Sequence, residues 1–102
     1  MQNDVLPVGE VVVTVLAMLE IDHLDLLTSL TRHRQGDWGY QGPDGRARND
    51  QALAAGEQIC SHYRDSKGEP FHILTVADRS LTLVFVDEDH DRFTGRAPSL
   101  PF

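Results

Sequence analysis

Arg32-His33, Gly36-Asp37-Trp38-Gly39, Asn49-Asp50 and the later turn residues Asp78-Arg79 are the side chains whose types and spacing suit chemistry. His33 has the character of a general base, and Asp37 or Asp50 could orient it. Trp38 would make a stacking platform for a ligand, with Arg32 or His33 contacting an anion. A structural reading competes at every position. An aspartate between glycines accepts backbone N–H bonds in a tight turn, and an indole beside it fills a hole in the core. Asn49 and Asp50 would cap a helix or bond back to the glycine-rich loop. Arg79, on a turn, would brace Asp37 or Asp50. The candidate ligand-binding set is therefore Arg32, His33, Asp37, Trp38, Asn49, Asp50, Asp78 and Arg79, with the structural reading favoured. No catalytic residue is assigned. No nucleophile sits in an elbow, and Cys60 falls in mid-strand, where an inert structural thiol is usual.

Metal chemistry has weaker support. His23, His33, His62, His72 and His90 include no i,i+4 pair, and there is no HExxH and no second cysteine. Strand pairing is expected to set His62 opposite His72, read as a polar pair at a sheet edge, with a metal as the alternative. The run from Asp87 to Asp91 lacks the EF-hand spacing. No metal and no cofactor are expected.

The elements that must position these groups follow from local pattern. Val11 to Val15 is β-branched and predicts a strand. Leu16 to Glu20 could begin a helix. Asp22 is a good N-cap for a helix that ends at Arg32-His33-Arg34 and stops at Gly36. Leu24, Leu27 and Leu30 make its apolar stripe, widened by Leu26. Residues 35–45 hold four glycines and a proline and predict an irregular loop. A short helix over 46–55 follows, with Asp44 as its cap. Strands 58–64, 70–76 and 81–86 predict an antiparallel meander, pairing Tyr63 with Phe71, His62 with His72 and Leu74 with Leu83. The fold class is α+β: one domain over 1–102, a three- to four-stranded, mainly antiparallel sheet against two helices, with loose tails at 1–8 and 94–102. Tyr63, Phe71, Ile73, Val84 and Val86 fall on one sheet face. Two short helices would cover one face but hardly both, so a homodimer is expected, with a tail ending Leu100-Pro101-Phe102 as the alternative cover.

Composition bounds the function. The 102 residues carry 16 acids and 9 bases, a net charge of −7, which repels nucleic-acid phosphates and makes a DNA- or RNA-coating role unfavourable. One cysteine precludes an intramolecular disulfide. No apolar run approaches the length of a membrane span of about 20 residues, and the first residues lack the basic start of a signal peptide. A soluble, cytoplasmic protein is expected. Arg32, Arg34, Arg46 and Arg48 cluster mid-chain. Asp87, Glu88, Asp89 and Asp91 form an acidic knot near the end, read as solvated charge or as a cation or basic-partner site.

The combination Arg32-His33, Gly36-Asp37-Trp38-Gly39, Asn49-Asp50-Gln51-Ala52-Leu53, Gly56, Ser61-x-Tyr63 and Thr75-x-Ala77-Asp78-Arg79-Ser80-x-Thr82 resembles a family of small proteins common on bacterial plasmids and integrative elements. The resemblance spans about residues 9 to 90. Val15-Leu16 departs from it where a proline-glycine turn is expected. The family brings no mechanism. Some members bear a label tying them to a type I restriction methylation subunit, but this chain has neither the glycine-rich turn nor the Asn/Asp-Pro-Pro-aromatic loop of a methyltransferase. The resemblance and the acidic charge together imply a non-enzymatic accessory or regulatory protein of a mobile element that binds another protein, such as a host defence or DNA-processing protein. The alternatives are a small-ligand or nucleotide binder with a pocket at Gly36–Gly39 and, behind it, a small hydrolase.

Overall fold

The structure, a computed structural model, describes residues 4–89. The elements are β1 (Glu10–Val13), α1 (Val15–Glu20), α2 (His23–Arg34), α3 (Pro43–Ala55), β2 (Ile59–Arg64), β3 (Pro70–Thr75) and β4 (Leu81–Phe85). Residues 87–89 form a helical turn. The fold is α+β and single-domain. Its sheet has the order β1-β4-β3-β2.

The meander forms in the expected register, with His62 opposite His72, Tyr63 opposite Phe71 and Leu74 opposite Leu83. The sheet is mixed, however, because β1 pairs parallel with β4. Gly9 makes that pairing possible. Its φ is +62°, and a Cβ there would overlap the Ser80 and Arg79 carbonyls of the β3–β4 turn.

Among the described residues three helices, besides the turn at 87–89, form rather than two. Thr14 ends β1 and caps α1 by accepting from Ala17 N–H at 3.1 Å. Asp22 caps α2, accepting from Leu24 and Asp25 N–H at 3.0 and 3.2 Å. α3 starts at Pro43, three residues before the expected boundary. The reason is Pro43 itself. Its ring pre-sets a helical φ, and its missing N–H is not needed in a first turn. Asp44 therefore lies inside the helix, and Gly42 occupies the cap position without a side-chain bond.

One face of the sheet is the core. Ala17, Ile21, Leu26 and Leu30 from α1 and α2 pack on Tyr63, Phe71, Ile73, Val84 and Val86. This corrects the reason given for a dimer, since the face expected to need a second copy is covered by α1 and α2. A second cluster of Leu6, Trp38, Ala52 and Ile59 joins α3 to β2. Residues 4–8 are not loose. Leu6 and Val8 are buried, and the Val5 and Leu6 amides both donate to the Arg34 carbonyl, at 2.8 and 3.0 Å. The expected tail at 94–102, including the alternative cover of Leu100-Pro101-Phe102, lies outside the described residues.

Candidate functional site

The chemically rich residues converge, but on one another. His33 is the last buried position of a stripe through Leu26, Ser29 and Leu30 on α2. Asp37 closes the turn after α2. Its carboxylate accepts two bonds from Arg32, at 2.8 and 3.2 Å, and one from Gly39 N–H at 3.2 Å. The Arg32 bond holds the Asp37 carboxyl below its usual range. The Tyr63 hydroxyl donates to the Asp37 carbonyl at 2.7 Å, and the Arg32 guanidinium lies 5.0 Å from the Tyr63 ring centre. Trp38 is buried, and its Nε1–H donates to Asp50 at 2.9 Å. Asn49 donates to the Cys60 carbonyl at 2.9 Å.

These bonds seal the outer edge of β2. The His62 amide donates to the Trp38 carbonyl and the Tyr40 amide to the His62 carbonyl, at 3.2 and 2.6 Å. A loop thereby covers a strand edge that would otherwise invite pairing with another chain. Gly39 must be glycine here, because a Cβ would overlap the His62 carbonyl.

Arg79 does not reach Asp37 or Asp50. It sits at φ +66° and donates to the carbonyls of Glu57 at 2.6 Å and Ala52 at 3.4 Å, at the end of α3. A cation suits that end of the helix dipole. The two aspartates are already taken, by Arg32 and by the Trp38 indole. Asp78 accepts from Ser80 N–H within the turn at 2.9 Å.

His33 heads a buried polar chain whose proton order can be deduced. Thr82 donates to the Val8 carbonyl at 2.7 Å, so its oxygen must accept from Thr75, 2.6 Å away. Thr75 has then given up its one proton and must accept from His33 Nε2–H at 2.8 Å. His33 Nδ1 is left as an acceptor for the Ser61 hydroxyl at 2.5 Å. The chain needs neutral His33, and burial pushes the imidazole down to about 3. Burial likewise pushes the Cys60 thiol up to about 12, which makes it inert. Ser61, Thr75 and Thr82 stand in the motif that carries the resemblance but not in the candidate site set, although three hydroxyls on one otherwise apolar sheet face were a signal for them.

The unsatisfied region lies elsewhere. Val15, Met18 and Leu19 on α1 are 74%, 46% and 76% exposed, and Leu24 and Leu27 on α2 are 72% and 59% exposed. The expected stripe of Leu24, Leu27 and Leu30 therefore splits. Leu30 joins Leu26 in the core, while Leu24 and Leu27 face outward. Four leucines in seven positions, 24 to 30, exceed what one helix face can bury, and that excess is the signal in the sequence.

An open cleft of about 620 Å³ joins the two helices here, between Met18-Leu19 and Leu24, with Ser66 and Lys67 on its far wall. His23 Nε2–H donates to the Met18 carbonyl at 3.0 Å, and Lys67 Nζ donates to the Glu20 carbonyl at 3.2 Å. The border is acidic. Burial raises the Glu20 carboxyl above its usual range, and the fields of Glu88, Glu69 and Asp89 add to it. Among the described residues no helix is long and apolar enough to cross a membrane. In comparisons with known proteins, no family model, no curated protein and no solved structure matches the chain.

Proposed function

We propose that this protein acts by binding another protein through the α1–α2 corner, as a non-enzymatic accessory or regulatory protein of a mobile genetic element. The observation that carries the reading is the set of exposed apolar side chains Val15, Met18 and Leu19 on α1 and Leu24 and Leu27 on α2, of which Met18, Leu19 and Leu24 line one cleft. Contiguous apolar surface of this kind marks interaction sites on soluble proteins. The partner is a protein with an apolar projection bordered by lysine or arginine, because Glu20 and Asp22 line the cleft and the fields of Glu88 and Glu69 reach Glu20. Host defence and DNA-processing proteins carry such basic surface. The mobile-element setting rests on the resemblance in the sequence.

The rival readings have less support. In a pocket at Gly36–Gly39, the ligand-contacting groups would be Arg32, His33, Asp37 and Trp38, yet these already bond to one another and to the scaffold. A second copy on the corner would bring two acidic borders together.

The test is affinity capture from the native host with the wild type and with Leu19→Ser/Leu24→Ser, at two salt concentrations. The reading expects a basic partner that the wild type retains, that the variant loses and that high salt weakens. A partner held equally by both proteins overturns it. So does sedimentation of the wild type as a dimer that the double substitution dissociates, which would make a second copy the occupant.

A further inference from the structure

The β2–β3 ladder carries a histidine pair that the docking corner does not use. His62 and His72 are direct cross-strand partners. Their Nδ1 atoms lie 2.8 Å apart, with ring centres 5.0 Å apart and ring planes at 78°. On the other side of His72, Nε2 meets the Asp87 carboxylate at 2.5 Å. Asp87 is exposed, with 64% of its side chain accessible, and the His72 side chain keeps 16%.

Proton counting defines the pair. The Asp87 carboxylate only accepts, so His72 Nε2 carries a hydrogen. Neutral His72 then presents a bare lone pair at Nδ1, aimed at His62 Nδ1, and a single proton lies between the two nitrogens. A carboxylate that fixes one imidazole nitrogen so that the other is a lone pair is the usual outer support of a metal-bound histidine.

We propose that His62 and His72 form a binding site for a divalent transition-metal ion such as Zn²⁺ or Cu²⁺, each coordinating through Nδ1, with Asp87 as the positioning residue for His72. The ion replaces the shared proton, which is released to solvent. With metal–nitrogen distances of about 2.05 Å and a tetrahedral angle, the two nitrogens must sit about 3.3 Å apart. The pair therefore has to open by about half an ångström, a shift that small side-chain rotations supply. Imidazole nitrogen suits zinc and copper, and copper is expected to bind more tightly. Among the described residues no group of three or more histidine, cysteine or acidic side chains could hold a metal. The site thus offers two protein ligands and leaves the other positions to water or to an incoming donor.

The test is calorimetric titration of metal-free full-length protein with zinc chloride, then with copper chloride, near neutral pH. One equivalent is expected to bind. His62→Gln and His72→Gln should each weaken it at least about tenfold, and Asp87→Asn, at an exposed position that leaves folding intact, by about tenfold. His23→Gln should leave it unchanged. Absence of uptake at millimolar metal overturns the site, as does uptake that survives both histidine substitutions. If Asp87→Asn binds like the wild type, Asp87 is not the positioning residue and that part of the proposal fails.

Discussion

The loop from Arg32 to Asp50 and the corner of α1 and α2 exchange the roles that their residue types suggest. The loop holds histidine, tryptophan, aspartate and arginine, the vocabulary of active sites. Each is consumed: Arg32 on Asp37, Trp38 on Asp50, Asn49 on the Cys60 carbonyl, and His33 between Ser61 and Thr75. The corner holds valine, methionine and leucine, the vocabulary of cores, and leaves them in water. A polar group with all its bonds made inside the fold stabilises; an apolar group with no neighbour inside is available to a partner.

The loop should be the more costly place to mutate. Trp38→Ala removes a buried ring and the Asp50 bond, and should destabilise by about 3–5 kcal/mol in chemical denaturation. An unchanged midpoint would break the contrast.

Acid offers a second way to test it. His33 has an ordinary value of 6.5 and is held at about 3 in the folded state. The unfolded chain therefore binds the proton first as pH falls. The stability due to neutral His33 is complete above pH 6.5 and is lost progressively from there down towards 3. At pH 5 the loss should be about 2 kcal/mol. His33→Asn, less stable at neutral pH, should lose that part of the pH dependence, measured by denaturation at a series of pH values.

At the rim of the loop the effects shrink. Arg32 and Asp37 are about half exposed, at 44% and 52% of their side chains, so a double-mutant cycle should find coupling of about 0.2–1 kcal/mol. Cycles of Arg79 with Asp37 and with Asp50 should be additive, because Arg79 bonds the carbonyls of Ala52 and Glu57 instead. The corner should show the smallest stability effect of all. Leu24→Ser and Leu27→Ser should each change stability by no more than about 0.5 kcal/mol, as exposed positions do. A loss of several kcal/mol at either would mean that these leucines are core after all, and would remove the ground for the docking face.

Much of this was legible along the chain. Asp22 as a cap and the register that sets His62 against His72 both follow from short-range rules about caps, turns and the two-residue period of strands. Pro43 as the first residue of α3 was also readable, but the glycines around it outweighed it. Asp50 as the partner of the loop was one of two readings offered, and the structure selects it. Arg32 as the partner of Asp37 was missed in favour of Arg79, although the pair is local: the turn that ends α2 bonds the Asp37 amide to the Arg32 carbonyl at 2.9 Å and brings the two side chains together.

The sequence by itself determined the α+β class, the meander and the caps, since these depend on residues a few positions apart. Tertiary structure alone decided three things. It placed β1 parallel beside β4, a pairing across some seventy residues. It selected Leu26, Ser29, Leu30 and His33 as the inner face of α2. It left Leu24 and Leu27 outside. Helical periodicity says which residues share a face. Which face turns inward is set by what stands opposite, and here that is a sheet surface bearing Ser61 and Thr75, whose hydroxyls need a histidine between them. Turning α2 to bury the outer leucines instead would take the His33 bond from both hydroxyls and leave Thr75 with Thr82 alone; a polar group left unsatisfied in the core costs about 1–3 kcal/mol.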